Sequence, residues 1–145
     1  MEDKLLTFLE YEMNHLNELL SLAEKQQEAL LKFDINTLEN VTLKQNEISK
    51  NIKLIEDQRL NYIMVKFGLT KKQAASTTLT SLEKMIDFES SEKLKYFKKT
   101  INNLLIKLNQ FNSLNRVLAH RALNNVTFIL SNFSNGSGFV CNVKV

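Results

Sequence analysis

Side chains that catalyse reactions or bind metals are scarce in this sequence, and none of them stands in a recognisable arrangement. The two histidines, His15 and His120, have no Cys, second His or Glu pair near them at the spacing of metal ligands. Cys141 is the single cysteine and lacks a neighbour that would activate its thiol. No Gly-rich phosphate loop and no nucleophile motif occurs. We therefore predict that the protein is not an enzyme and uses neither a cofactor nor a metal.

The segment that follows Phe111 carries the clearest functional signal, which is an excess of apolar side chains. From about Glu92 to Asn135 the sequence has no Gly and no Pro, so we predict one long helix. Up to Leu108 its apolar residues form one stripe, but beyond Phe111 the apolar arc widens to roughly 240° on a helical wheel. A helix that is apolar around most of its circumference needs two or more neighbours. The chemistry predicted for this segment is non-covalent binding to another apolar surface.

Three ways of burying this apolar excess are open on the sequence alone. The extra face can contact two other helices of the chain, pair with a second copy, or hold the apolar face of another protein. Many polar positions of the same segment are Asn, which is a poorer helix former than Ala by roughly half a kcal/mol per residue. We therefore expect its C-terminal half to become ordered on contact with a partner.

The first half of the chain predicts two long helices joined by a tight turn. In about residues 3–33, apolar residues recur at spacings of three and four, which is typical of coiled coils and long bundles. Asp34 is a good N-cap, and no Gly lengthens the connection. The second helix, about residues 35–67, is therefore expected to run back antiparallel to the first. Gly68 is expected to end it as a C′ residue.

The second half predicts a short helix and then the long last one. Thr80-Ser81-Leu82-Glu83 has the form of a capping box, which predicts a short helix over about residues 81–88. Ser90 or Ser91 is expected to cap the last helix, about residues 92–134. The predicted fold class is all-α, an antiparallel bundle of three long helices with a short connecting helix before the last. Residues 1–135 are expected to form this single domain and residues 136–145 a C-terminal tail.

Charge is distributed unevenly along the chain. Residues 1–33 hold three Lys and seven acidic residues, whereas residues 92–145 hold eight basic residues and one acid, Glu92. We interpret this as an acidic first helix and a basic last helix that lie side by side. The basic residues do not form the dense face with stacking aromatics that a nucleic-acid binder needs, so nucleic acid is not a predicted partner.

The sequence predicts a cytoplasmic location. No apolar run reaches the ~18 residues that indicate a membrane span, so membrane insertion is not predicted. The N-terminus lacks the basic region and cleavage site of a secretory signal. A single cysteine excludes an internal disulfide and is typical of a reducing compartment.

The pattern of helix residues resembles that of FlgN-type flagellar export chaperones over about residues 5–135. The residues that carry this resemblance lie in the first, second and last predicted helices. They are Leu19–Gln27, Asp34, Leu38, Gln45, Ile55, Glu56, Arg59, Leu108, Asn109, Asn112, Asn115–Leu118, Ala122 and Leu123. The most suggestive piece is the pair Asn115 and Leu118 in the last helix.

The resemblance implies a specific function. FlgN-type proteins are small cytoplasmic helical chaperones of the bacterial flagellar type III secretion system. They bind C-terminal segments of hook–filament junction (hook-associated, FlgK/FlgL-like) proteins, prevent their premature assembly and deliver them to the flagellar export gate, without ATP or metal. Client contact in the family is attributed to the C-terminal helical region. The residues expected to bind the partner here are Leu114, Asn115, Val117, Leu118, Ala122, Leu123, Val126, Phe128, Ile129, Leu130 and Phe133.

Two alternatives stay open beside this expectation. One is another flagellar chaperone, of the filament-cap (FliT-like) type, with a different client. The other is a coiled-coil adaptor or structural homodimer without an export role, in which the apolar flank is buried between two copies.

Overall fold

The computed structural model describes residues 4–137 of the chain and the side chains of residues 4–132. Over this range the chain is all-α, as predicted, and forms no strand. The helices are α1 (Lys4–Lys32), α2 (Ile35–Phe67), α3 (Lys71–Ser76), α4 (Leu79–Glu83) and α5 (Phe88–Ser137). The last helix continues three residues beyond the predicted end at 134 and includes Gly136. The rest of the predicted tail, residues 138–145 with Cys141, lies outside the described residues.

A tight turn joins α1 to α2, because both helix ends are capped within a few residues. The N–H groups of Phe33 and Asp34 bond back to the carbonyls of Leu30 and Ala29, at 3.5 Å and 2.9 Å, which is the Schellman pattern. Asp34 then caps α2, since its Oδ1 accepts from the Thr37 N–H at 3.2 Å. Phe33 occupies the left-handed C′ position with φ of 54°, where Gly is the usual residue.

Because the backbone of Phe33 is left-handed, we predict that Gly is more stabilising than Ala at this position, the reverse of their order inside a helix. A side chain at a left-handed position costs roughly 1 kcal/mol, so Phe33→Gly should be more stable than Phe33→Ala by about that amount. In the last turn of α1, Leu31→Gly should instead be less stable than Leu31→Ala by about 1 kcal/mol. Urea denaturation of the four variants measures both differences. If the Ala variant were the more stable one at both positions, the left-handed conformation of Phe33 would be contradicted.

Two short helices connect α2 to α5, where one was predicted over 81–88. Gly68 ends α2 as expected, with φ of 63°, and its N–H bonds to the Met64 carbonyl. At the start of α3, Thr70 and Gln73 form a complete capping box, with bonds of 3.2 Å and 3.0 Å. At the start of α4, the Thr78 hydroxyl accepts from the Ser81 N–H at 3.1 Å. The cap is therefore Thr78 and not Thr80, so α4 begins two residues before the predicted short helix and ends at Glu83.

The long last helix begins four residues earlier than the predicted 92, at Phe88. Its cap is Asp87, which was predicted to lie inside the short helix. The Asp87 carboxylate accepts from the Ser90 N–H at 3.1 Å, and its carbonyl accepts from the Ser91 N–H at 2.8 Å. The hydrogen bonds from Ser90 lower the pKa of Asp87, so this cap stays ionised to a lower pH than an Asp without these bonds.

Helix α1 lies between α2 and α5 and packs against both. It runs antiparallel to α2, because Glu12 pairs with Arg59 while Gln26 pairs with Gln45. No Cα atom of α2 comes within 8 Å of one in α5 over the described residues. The predicted bundle is therefore open along this side, and a groove of about 450 Å³ separates the middle of α2 from the middle of α5. The acidic first helix and the basic last helix do lie side by side.

All five helices contribute to a core at the end of the molecule where α3 and α4 lie. Its buried residues, from α1 through α5, are Leu5, Leu9, Ile63, Ala74, Leu82 and Leu94. A smaller cluster of Leu22, Val41 and Ile48 joins α1 to α2 nearer the turn. Between these two clusters, the buried Glu12 accepts a 2.7 Å hydrogen bond from the Nε of Arg59. The core therefore anchors the N-terminal half of α5 more strongly than its C-terminal half.

Candidate protein-binding surface

Contacts at two levels show that α5 runs parallel to α1 and define its register. Leu94 shares the core cluster with Leu5 and Leu9, and further along the helix Asn115 donates to the carbonyl of Ala23. Asn115 is offset by 92 residues from Ala23 and by 89 from Gln26, to which it also donates. With these offsets, the end of α1 at Lys32 is level with residues 121–124 of α5. The last turns of α5, from Asn125 to Ser137, therefore extend past the end of α1 by about 20 Å, at ~1.5 Å per residue.

A buried polar network holds this register. Asn115 is 4% exposed, and its Nδ2 donates to the carbonyl of Ala23 at 2.9 Å and to Oε1 of Gln26 at 3.2 Å. The same Gln26 oxygen accepts from Nε2 of Gln45 in α2 at 3.3 Å. A buried Asn in an apolar seam disfavours other alignments, because sliding the helix would leave its amide unpaired. Asn115 therefore positions α5 on α1.

The overhang, defined as residues 125–137 of α5, carries an exposed apolar stripe. Leu118 and Ala122 lie half-buried near the end of α1, and Val126 and Ile129 follow them at helical spacing. Ile129 is 53% exposed, since the stripe continues where α1 has ended. No charged residue occurs from Ala122 to Ser137. The overhang therefore presents an uncharged apolar surface that no other described helix covers.

The turn between α1 and α2 adds a second exposed apolar surface at the same level of the molecule. Leu31, Phe33 and Ile35 are exposed, with Phe33 at 57%. By the offsets of 89 and 92 residues, Phe33 is level with residues 122–125, where the overhang begins. These three residues, called the hairpin tip below, were not among the predicted site residues. The apolar residues on both sides of Asp34, the predicted N-cap of the turn, were the signal that could have found them.

The predicted partner-binding residues do not share one environment. The exposed ones are Leu114, Val117, Leu123, Val126, Phe128 and Ile129. Leu118, Ala122 and Leu130 are half-buried. Asn115 is buried against α1, so the structure gives it a contact within the chain. Phe133 lies in the overhang, but its side chain is outside the described set.

Within residues 4–137, no three His, Cys, Asp or Glu side chains are grouped so that they could hold a metal ion. His15 lies 3.5 Å from Glu18, one turn along α1. None of the helices within this range is long and apolar enough to cross a membrane.

Comparison with known proteins connects this architecture to one family. The model of a family described as FlgN protein matches residues 1–138. This span contains all the described helices, with both the overhang and the hairpin tip. No curated protein and no solved structure gave a significant match to the chain.

Proposed function

Because the chain belongs to the FlgN family of flagellar export chaperones, we propose that it binds the C-terminal segments of hook–filament junction proteins. In this proposal it acts in the cytoplasm, keeps these clients from assembling prematurely and delivers them to the flagellar export gate. Binding is non-covalent, because it is driven by burial of an apolar client face. Such burial needs neither ATP nor metal.

The observation that carries the proposal is the apolar stripe of α5 that continues beyond the end of α1. Upstream, the stripe is covered by α1, which packs along it as a parallel helix. Downstream, Val126 and Ile129 lack this cover. An amphipathic client helix fits there, in line with α1, with its apolar face on the overhang and its end against the hairpin tip.

The size of the stripe indicates that the client contacts more than the overhang alone. Full burial of one large aliphatic side chain contributes roughly 1.5–3 kcal/mol. Val126 and Ile129 are 45% and 53% exposed and Leu130 is half-buried, so covering the rest of these three side chains contributes roughly 2–4 kcal/mol. Association costs at least about 4 kcal/mol in lost translational and rotational freedom. The exposed hairpin tip would supply the additional apolar contact.

The same surface also suits a second copy of the chain, since two overhangs can cover each other's stripes. In this alternative the free protein is a homodimer, and a client helix competes with the partner overhang. A filament-cap client in place of a hook–filament junction client is a further alternative. Both alternatives are distinguished by titration with defined client segments.

The test is calorimetric titration of the full-length protein with the C-terminal segment of a hook–filament junction protein from the same organism. A variant that ends at Asn125 is the matched comparison, because it retains every α5 residue that is level with α1. We expect one-to-one binding by the full-length protein and loss of at least about 100-fold in affinity on truncation.

Two outcomes would contradict the proposal. Binding that survives truncation at Asn125 would place the client elsewhere on the fold. Failure of the folded full-length protein to bind this segment, together with binding of a filament-cap protein segment, would favour the filament-cap alternative. Sedimentation of the free protein, with and without the truncation, measures whether the overhang also supports a dimer.

A further inference from the structure

A second surface, far from the overhang, lies between α4 and the N-terminal half of α5. It is a groove of about 670 Å³, and its apolar lining consists of Leu79 from α4 with Ile101 and Leu105 from α5. Leu82, the neighbour of this lining in α4, is fully buried and fixes α4 against the core. Leu105 is 41% exposed, so the apolar part of the groove is accessible from solvent.

Lysines surround this apolar lining. Lys95, Lys98 and Lys99 line the groove, and Glu83 is the one carboxylate among its lining residues. Lys98 donates to the Thr80 hydroxyl at 2.6 Å and lies 3.7 Å from Glu83, so its charge is partly offset. Lys95 pairs with Glu92 at 3.0 Å. Within residues 4–132, Lys99 forms no hydrogen bond or ion pair. Its ammonium group is therefore available to a partner.

We propose that the α4–α5 groove is a docking site for an acidic amphipathic segment of a partner protein. Carboxylates of the segment would pair with Lys99 and Lys95, which lie one helical turn apart, while an apolar side chain would cover Leu79, Ile101 and Leu105. The aliphatic lining favours a protein over a nucleic acid, because a nucleic-acid site would offer aromatic side chains for bases to stack on.

The position of the groove makes it independent of the proposed client site. Lys99 and Ile129 are 30 residues apart on one continuous helix, which corresponds to about 45 Å at ~1.5 Å per residue. A partner in the groove and a client on the overhang can therefore be bound at the same time. Failure of this proposal would leave the proposed client site unaffected.

The first measurement uses the full-length protein and a fluorescently labelled helical peptide with Leu on one face and Glu on the other. We expect saturable binding by fluorescence anisotropy that weakens as salt is raised from about 0.05 M to about 0.3 M. A peptide with Lys at every Glu position, and one with Ser at every Leu position, are expected to bind at least about tenfold more weakly.

Matched variants separate the groove from the general positive charge of α5. Lys99→Glu is expected to weaken binding of the acidic peptide by about tenfold, and Leu105→Ser by about fivefold. Lys107→Glu and Ile106→Ser alter exposed residues of the same helix that do not line the groove. Both controls are expected to change the affinity by less than about twofold. Circular dichroism verifies that all four variants keep the wild-type helix content.

Three results would overturn the proposal. Equal weakening by Lys99→Glu and Lys107→Glu would indicate non-specific attraction to a basic helix. Tighter binding of a polyuridine RNA than of the acidic peptide, also lost in Lys99→Glu, would assign the surface to nucleic acid. A wild-type protein that self-associates, with the self-association lost in Lys99→Glu, would show that the groove is occupied by a second copy.

Discussion

Replacing Ile129 with aspartate is expected to weaken binding of a hook–filament junction segment by at least about 100-fold, without loss of the fold. Ile129 lies on the stripe that continues beyond α1 and is 53% exposed, so a carboxylate there stays hydrated in the free protein. Covering the stripe with an apolar client would bury that charge without a partner, which is strongly unfavourable. Calorimetric titration measures the affinity, and thermal unfolding verifies the fold.

Asn124→Asp is the matched control, because it introduces the same charge in the same region of α5. Asn124 is exposed and lies on the side of the helix opposite the stripe. We expect this variant to bind within about threefold of wild type. Equal losses in the two variants would show that negative charge, and not position on the stripe, disrupts binding. Phe33→Asp extends the test to the hairpin tip, where a loss of about tenfold or more is expected if the client helix ends there.

Replacing Arg59 with methionine is expected to lower the free energy of unfolding by roughly 3–5 kcal/mol near neutral pH. The Arg59 Nε lies 2.7 Å from the Glu12 carboxylate, which is 7% exposed between α1 and α2. Without the guanidinium, a buried carboxylate has no cation to offset its desolvation. Urea denaturation measures the loss, and the double variant with Glu12→Leu is expected to recover most of it.

The loss of stability in Arg59→Met should depend on pH, and its direction follows from the pKa of Glu12. Burial raises the pKa of Glu12 above its ordinary value, although the charge and hydrogen bond of Arg59 oppose this. An acid whose pKa is raised in the folded state binds more protons when the protein is folded than when it is unfolded. The folded protein is therefore most stable, as far as this group is concerned, below the pKa of the unfolded state, and it loses that stability as pH rises through the pKa of the folded state. Removal of Arg59 raises the folded pKa further. The destabilisation by Arg59→Met should therefore shrink as the pH is lowered towards the ordinary pKa of Glu.

The exposed pair of Lys53 and Asp57 gives the control for this prediction. Its nitrogen and oxygen are 3.9 Å apart, and both side chains are more than half exposed. Lys53→Met is expected to change the free energy of unfolding by less than about 0.5 kcal/mol at any pH. A similar loss in the two variants would show that burial of Glu12 is not the cause.

The parts of the fold that local sequence signals determine were predictable. Asp34 and Gly68 mark the ends of α2 because an N-cap acceptor and a left-handed C′ residue act within one turn of the chain. Thr70 and Gln73 carry the same kind of signal, and their capping box could have predicted α3. The ends of α4 and the start of α5 were harder, because Thr78, Thr80, Asp87, Ser90 and Ser91 can all act as caps and packing selects among them.

Parts of the candidate site depend on contacts that no local pattern reveals. The sequence predicted Asn115 as a partner-binding residue, but its amide donates to the carbonyl of Ala23, 92 residues away in the same chain. The sequence does not record which residues of α1 and α5 are level with each other. The overhang follows from that register and from the unequal lengths of α1 and α5, which have 29 and 50 residues. That α5 is the longer helix was predictable, whereas the register required the structure.

The distribution of charge along α5 has a consequence for the speed of association. From Lys93 to Lys107 the helix carries five lysines, whereas from Ala122 to Ser137 it carries no charge. Attraction between opposite charges accelerates encounter and is screened by salt, whereas uncharged surfaces meet at roughly 10⁵–10⁶ M⁻¹s⁻¹. A partner on the overhang would therefore bind slowly and almost independently of salt, and its residence time would set its affinity. An acidic partner at the opposite end would arrive quickly and would be held less firmly as the ionic strength rises.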